Sequence, residues 1–174
     1  MVRLSKFLVD TLFGYVRKSV VDLSFKPKSV PDGLKDEFGV FVTFTIGGLL
    51  RGCIGFINPR PLWASVIDAS RASAFNDSRF SPMSDSELDN AVVELSILSK
   101  PKGTVLSSVK RGDGLIISKG VRSALFLPQV WDELPKKSDF IRQLFLKAGL
   151  NPMATGVSYS KFTVAAYKKC FAKC

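Results

Sequence analysis

The run Phe38-Gly39-Val40-Phe41-Val42-Thr43-Phe44-Thr45-Ile46 alternates in polarity, and after Gly47-Gly48 a second apolar run follows, LLRGCIGFI. Few arrangements satisfy this pattern. A period of two puts Phe38, Val40, Val42, Phe44 and Ile46 on one face and Phe41, Thr43 and Thr45 on the other, as in a half-buried strand. Two consecutive glycines supply the positive φ angles that a primed hairpin turn demands. An antiparallel hairpin is therefore expected, and its register follows from the turn. If Ile46 pairs with Leu49, then Phe44 faces Arg51 and Val42 faces Cys53. Arg51 and Cys53 then share a face, with Cα atoms about 6.5 Å apart. Gly52 and Gly55 belong to opposite faces and admit a close backbone neighbour on either side.

The remaining elements are read the same way. Leu4, Phe7, Leu8, Leu12, Tyr15 and Val16 recur at helical spacing, which predicts a helix over about 4–20. Pro27, Pro31 and Gly33 mark a loop. Pro59 and Pro61 introduce a helix over 62–75 that gives way at Asn76-Asp77-Ser78, just before Arg79-Phe80-Ser81-Pro82. Ser84 through Glu87 has the form of a capping box. AVVELSILS predicts a strand over 91–99. A second hairpin is expected around Lys119-Gly120, a helix over 139–148 capped by Ser138, and one last strand over 159–168. Hairpins together with helices in no βαβ rhythm predict an α+β fold, with an antiparallel sheet flanked by helices. The 174 residues suit a single domain, and the Gly/Lys-rich stretch over 100–114 suggests a smaller subdomain within about 100–137.

Composition narrows the chemistry. The chain has no histidine, which excludes a Ser-His-Asp triad, a Cys-His pair and a helical HExxH zinc site. Its 3 cysteines are too few for a disulfide scaffold, and no metal or other cofactor is expected. Cys170 and Cys174 lie four apart in a basic tail and would share a helical face, but two thiols alone make a poor zinc site. The net charge of +10 suits acidic partners. The cations are scattered, however, with no basic tract interleaved with aromatics, so nucleic acid should bind only weakly and without specificity. Gly112-Asp113-Gly114 reads as a turn, since it lacks the GxGxxG and GK[ST] context of a phosphate loop. No apolar run is long enough to span a membrane. The N-terminal stretch reads as an amphipathic helix instead of a cleavable leader, so a cytoplasmic location is expected.

LRGCIG (Leu50–Gly55), DSRFSP (Asp77–Pro82), GDGLII (Gly112–Ile117), LPQV (Leu127–Val130) and KAGL (Lys147–Leu150) occur in the same order in the AMMECR domain family, and from about residue 39 to 167 the chain resembles that family. The resemblance implies an α+β protein with a larger and a smaller subdomain. It also implies association with Memo-type and radical-SAM proteins, but no established reaction. Two positions depart from the family pattern. Phe145 stands where relatives often carry cysteine, and no tryptophan follows KAGL.

Three functional readings are open at this point. In the first, the chain is a binding or accessory module that holds a small anionic ligand or a protein partner with Arg51, Gly52 and Arg79. In the second it is a cysteine-dependent enzyme, with Cys53 as nucleophile, Arg51 lowering its pKa and Asp77 orienting it or taking a proton. The third is the non-specific nucleic-acid binder. Each has a structural counterpart: Cys53 as a small core residue opposite Val42, Phe80 as core, and Arg51 paired with Asp77 to pin the hairpin to the helix end.

Overall fold

The computed structural model describes residues 3–173. Helix α1 (Lys6–Val21) is followed by strands β1 (Glu37–Ile46) and β2 (Leu49–Pro61), helix α2 (Leu62–Phe75), the short α3 (Asp85–Asp89) and β3 (Val92–Leu98). Then come β4 (Lys102–Gly103), β5 (Gly114–Lys119), β6 (Arg122–Phe126), α4 (Val130–Glu133), α5 (Lys137–Lys147), β7 (Ser158–Phe162) and β8 (Val164–Cys170). The fold is α+β with two antiparallel sheets, ordered β2-β1-β3-β8 and β4-β7-β5-β6. Cys174, half of the tail cysteine pair, lies outside the described residues.

The described residues divide into two compact units, one made of residues 3–98 and 165–173, the other of Ser99–Val164. In the first unit, Val40, Val42 and Phe44 of β1 are fully buried with Leu12 and Val16 of α1 and Leu62 and Val66 of α2. The alternation read from the sequence is this buried face. Gly47 and Gly48 both have positive φ, as a primed turn requires. In the second unit Leu115 and Ile117 of β5 bury against Phe140, Leu144 and Phe145 of α5. Trp131 stacks on Phe140 with ring centroids 3.9 Å apart, and its indole N–H donates to the Asp113 carbonyl.

Four expectations need correction. Helix α5 begins at Lys137 with Lys136 as its N-cap and no side-chain capping bond, so Ser138 lies inside the helix and does not cap it. The hairpin begins as expected, with Ile46 opposite Leu49 and Thr45 opposite Leu50, but Phe44 then pairs with Gly52. Arg51 is the extra residue of a β-bulge, so the pairs from Phe44–Gly52 to Val40–Phe56 shift by one, and a second irregularity between Val40 and Phe38 shifts the register again. Cys53 therefore lies opposite Thr43, on the face away from the core, and not opposite Val42. The single strand expected over 159–168 is two strands broken at Thr163, because β7 pairs with β5 in one sheet while β8 lies beside β3 in the other. In the second hairpin Lys119 pairs with Arg122, so the turn is Gly120-Val121.

Candidate functional site

The LRGCIG strand is β2, the outer strand of its sheet, and helix α2 packs across the hairpin. Gly52 is a glycine because a Cβ there would sit 2.0 Å from the carbonyl oxygen of Ser73 in α2. Ser73 also ties the strands together. Its buried hydroxyl accepts from the Ile54 amide at 2.7 Å and donates to the Val42 carbonyl at 2.7 Å. The small residues of α2 are thus required by a helix lying hard against a sheet.

Asp77 follows immediately after that helix, and its side chain is only 4% exposed. It does not reach Arg51. Its carboxylate accepts from the Cys53 amide at 2.9 Å, and from Arg79 Nε at 2.9 Å and Nη2 at 2.6 Å. Arg79 Nη2 in turn donates to the Cys53 carbonyl at 3.3 Å. One forked pair thereby caps both backbone groups of Cys53. The Arg79 guanidinium, helped by the Cys53 amide, holds the Asp77 carboxyl well below the usual carboxylate range, against burial that pushes it up.

Arg51 pairs with Glu87. Nε donates to Oε1 at 2.7 Å and Nη2 to Oε2 at 3.2 Å, while Nη1 donates to the Ser81 carbonyl at 2.8 Å. With its side chain only 14% exposed, Arg51 has little left to offer a ligand. It is a clasp between the bulge and the segment that follows DSRF. The expected Arg51–Asp77 pair failed because the bulge turns Arg51 away. Glu87 is recognisable in the sequence as the capping-box residue, and its Oε2 does accept the Ser84 amide at 2.9 Å. Its second task, receiving Arg51, has no local signal. The Arg51 guanidinium, followed by the Ser84 amide, brings the Glu87 carboxyl down to about 2. Phe80 is half-buried instead of core, and the guanidiniums of Arg51 and Arg79 lie over its ring at 5.8 and 5.4 Å.

These pairings predict a pattern of coupling. In double-mutant cycles, Arg51→Ala and Glu87→Ala will be strongly non-additive in urea unfolding, whereas Arg51→Ala and Asp77→Ala will be close to additive. Equal coupling in both cycles would contradict the geometry.

Cys53 itself is half-buried, and its Sγ accepts from the Thr43 hydroxyl at 3.3 Å. Across the same face Thr43 lies opposite Glu94 of β3, and Glu94 pairs with Lys168 of β8 at 2.8 Å. Sequence reading missed Glu94 because its strand looks like any other alternating run. What the sheet brings together is a row of thiol, hydroxyl, carboxylate and ammonium, with Arg79 beside the thiol end. The guanidinium of Arg79 is half exposed, and among the described residues no hydrogen bond uses its Nη1. No group of three or more Cys, Asp or Glu among the described residues could hold a metal ion, and no helix among them is long and apolar enough to cross a membrane.

A family model described as AMMECR1 matches residues 10–170. The chain belongs to the AMMECR1 family. Among AMMECR1-type relatives, a protein of Thermococcus onnurineus is 41% identical over 144 residues, spanning 72% of this chain and 68% of its own length. Protein TK0174 of Thermococcus kodakarensis is 39% identical over 171 residues, spanning 87% of this chain and 78% of its own. The crystal structure of uncharacterized protein PH0010 from Pyrococcus horikoshii superposes with a TM-score of 0.83 at 34% identity, covering 94% of this chain and 90% of that one. The segments LRGCIG and DSRFSP are the two sides of one hydrogen-bonded junction, joined by Asp77 and Arg79 at Cys53 and by Arg51 at the Ser81 carbonyl.

Proposed function

We propose that this AMMECR1 domain is a binding or accessory module that receives a small anionic group at the corner formed by Arg79, Cys53 and Thr43. The observation that carries this reading is the half-exposed Arg79 guanidinium. It is fixed along one edge by Asp77, and its Nη1 makes no hydrogen bond among the described residues. A guanidinium held rigid by a carboxylate loses little freedom on meeting an anion, and its planar fork suits carboxylate or phosphate oxygens. Gly52 serves this corner indirectly, by letting Ser73 approach and so setting the position of the strand. Arg51, spent on Glu87 and the Ser81 carbonyl, is a positioning residue and not a ligand.

The cysteine-dependent alternative is weaker for a chemical reason. Asp77, the residue assigned to take a proton, is held ionised by Arg79 far below neutral pH, and so strong an acid is a poor base. The thiol instead serves this reading as a small polar wall beside the anion.

The test is a titration with inorganic phosphate, followed by amide and arginine Nε–H NMR signals. In the parent, signals from Gly52–Ile54 and Arg79 are expected to shift saturably. In Arg79→Lys, which keeps the charge but loses the fork, they are expected not to. Shifts spread evenly over surface lysines, or unchanged binding in Arg79→Lys, would defeat the proposal.

A further inference from the structure

Strand β4 is two residues long, yet it places Lys102 directly opposite Lys161 of β7. Like charges facing one another across an antiparallel pair, with Cβ atoms about 5 Å apart, destabilise the pairing. The other features of the place compound the cost. Ser99, Lys100, Lys102, Asp113, Lys161 and Thr163 line a concavity of about 280 Å³, within the unit formed by Ser99–Val164. Three ammonium groups therefore meet one carboxylate, leaving two positive charges unmatched.

The groups are also held. Asp113 is buried, and its Oδ2 pairs with Lys161 Nζ at 3.3 Å while accepting the Lys110 amide at 3.1 Å. Lys161 Nζ donates in addition to the Ser108 carbonyl at 3.3 Å, so this ammonium is pinned from two directions. Ser99 and Thr163, also in the lining, are tied backbone to backbone, with the Ser99 amide donating to the Thr163 carbonyl at 2.9 Å. The Thr163 amide donates to Ser99 Oγ at 3.0 Å, which leaves the hydroxyl hydrogen of Ser99 available. Lys100 and Lys102 enter no hydrogen bond or ion pair among the described residues that would offset their charge.

We propose that this concavity is a second anion site that binds the phosphoryl group of a small molecule. Lys100, Lys102 and Lys161 supply charge, and Ser99 supplies a hydroxyl donor. The charge count selects the class. A phosphoryl group carries close to two negative charges at neutral pH and accepts through three oxygens, whereas a carboxylate brings one charge and would leave the lysines unbalanced. The site lies on residues that the Arg79 corner does not use, and it stands or falls independently of that reading.

The test is calorimetric titration with pyrophosphate at constant ionic strength, on the parent, Lys102→Gln, and Lys26→Gln as a control for net charge at an exposed lysine of the other unit. Lys102→Gln is expected to weaken pyrophosphate binding at least about fivefold, the loss of one ammonium contact worth roughly 1 kcal/mol. Lys26→Gln should leave binding unchanged. Without anion, Lys102→Gln is expected to melt at the same temperature as the parent or higher, because the facing charges are relieved. Amide shifts at Ser99, Lys100 and Lys102 and over 161–163 assign the event to this site, and shifts over 52–54 and 79 assign it to the other. Equal weakening by both substitutions, absence of saturable binding, or a lower anion-free melting temperature for Lys102→Gln overturns the proposal. So does an oligonucleotide that binds more tightly than pyrophosphate with a steep salt dependence, since the ligand is then a polyanion.

Discussion

Gly52→Ala will cost about 3 kcal/mol or more of stability, seen as a fall in melting temperature of roughly 6–12 °C and an earlier urea midpoint. The added methyl would meet the Ser73 carbonyl oxygen at 2.0 Å and its carbon at 3.0 Å, so the obstacle is backbone and no rotamer relieves it. Nor is the helix free to slide. Ser73 is held by its own hydroxyl to Ile54 and Val42, and moving it would strip buried hydrogen bonds from both strands. Gly103→Ala is the control, since nothing lies within 4 Å of a Cβ there, and it should change stability by less than about 0.5 kcal/mol. A Gly52→Ala protein as stable as the parent would mean that α2 does not press on the hairpin.

Asp77→Asn will lower stability at neutral pH by on the order of 2–3 kcal/mol, and the deficit will shrink as the solution is acidified. An amide keeps the size of the side chain but offers one acceptor where Asp77 uses two, and it turns an N–H toward Arg79 or the Cys53 amide. The sign follows from the direction of the pKa. The folded-state carboxyl titrates below its unfolded value of about 3.9, so its stabilisation is present above that pH and is lost as pH falls toward the folded value. Parent and variant should therefore converge from about pH 5 downward. Glu87, also depressed, adds to the acid sensitivity of both proteins equally, so the difference curve isolates Asp77. A deficit as large at pH 3 as at pH 7 would make the role of Asp77 one of shape and not of charge.

How far the sequence could be read depended on whether the cause of each feature was local. The turn at Gly47-Gly48, the capping box at Ser84 and the helix over 62–75 are stated by residues within a few positions of one another, and the structure has all of them. The bulge at Arg51 is different. Alternation reports which residues avoid water, and a half-polar strand with two glycines tolerates an inserted residue without breaking that pattern. One skipped residue moved Cys53 from the buried face to the open one, and Arg51 pairs with Glu87 in place of Asp77. The break at Thr163 was hidden in the same way, since β7 and β8 form one continuous extended stretch apart from that residue, and only pairing partners distant in sequence separate them. Glu94 could not be singled out, because its significance lies in standing across Thr43 from a thiol on another strand.

The forked pair over Cys53 also bears on how this protein meets other chains. An outermost strand ordinarily presents a row of unused amides and carbonyls, an invitation for a foreign extended segment to lengthen the sheet. In the middle of β2 that invitation is withdrawn, because the amide and the carbonyl at Cys53 are already engaged by the carboxylate and guanidinium of a neighbouring loop. Strand addition there would have to displace the Asp77–Arg79 pair, whose carboxylate is buried, before gaining its first backbone bond. A partner docking at this point of the edge must therefore recognise side chains, and an unfolded copy of the same chain finds no open backbone pair at Cys53 to extend.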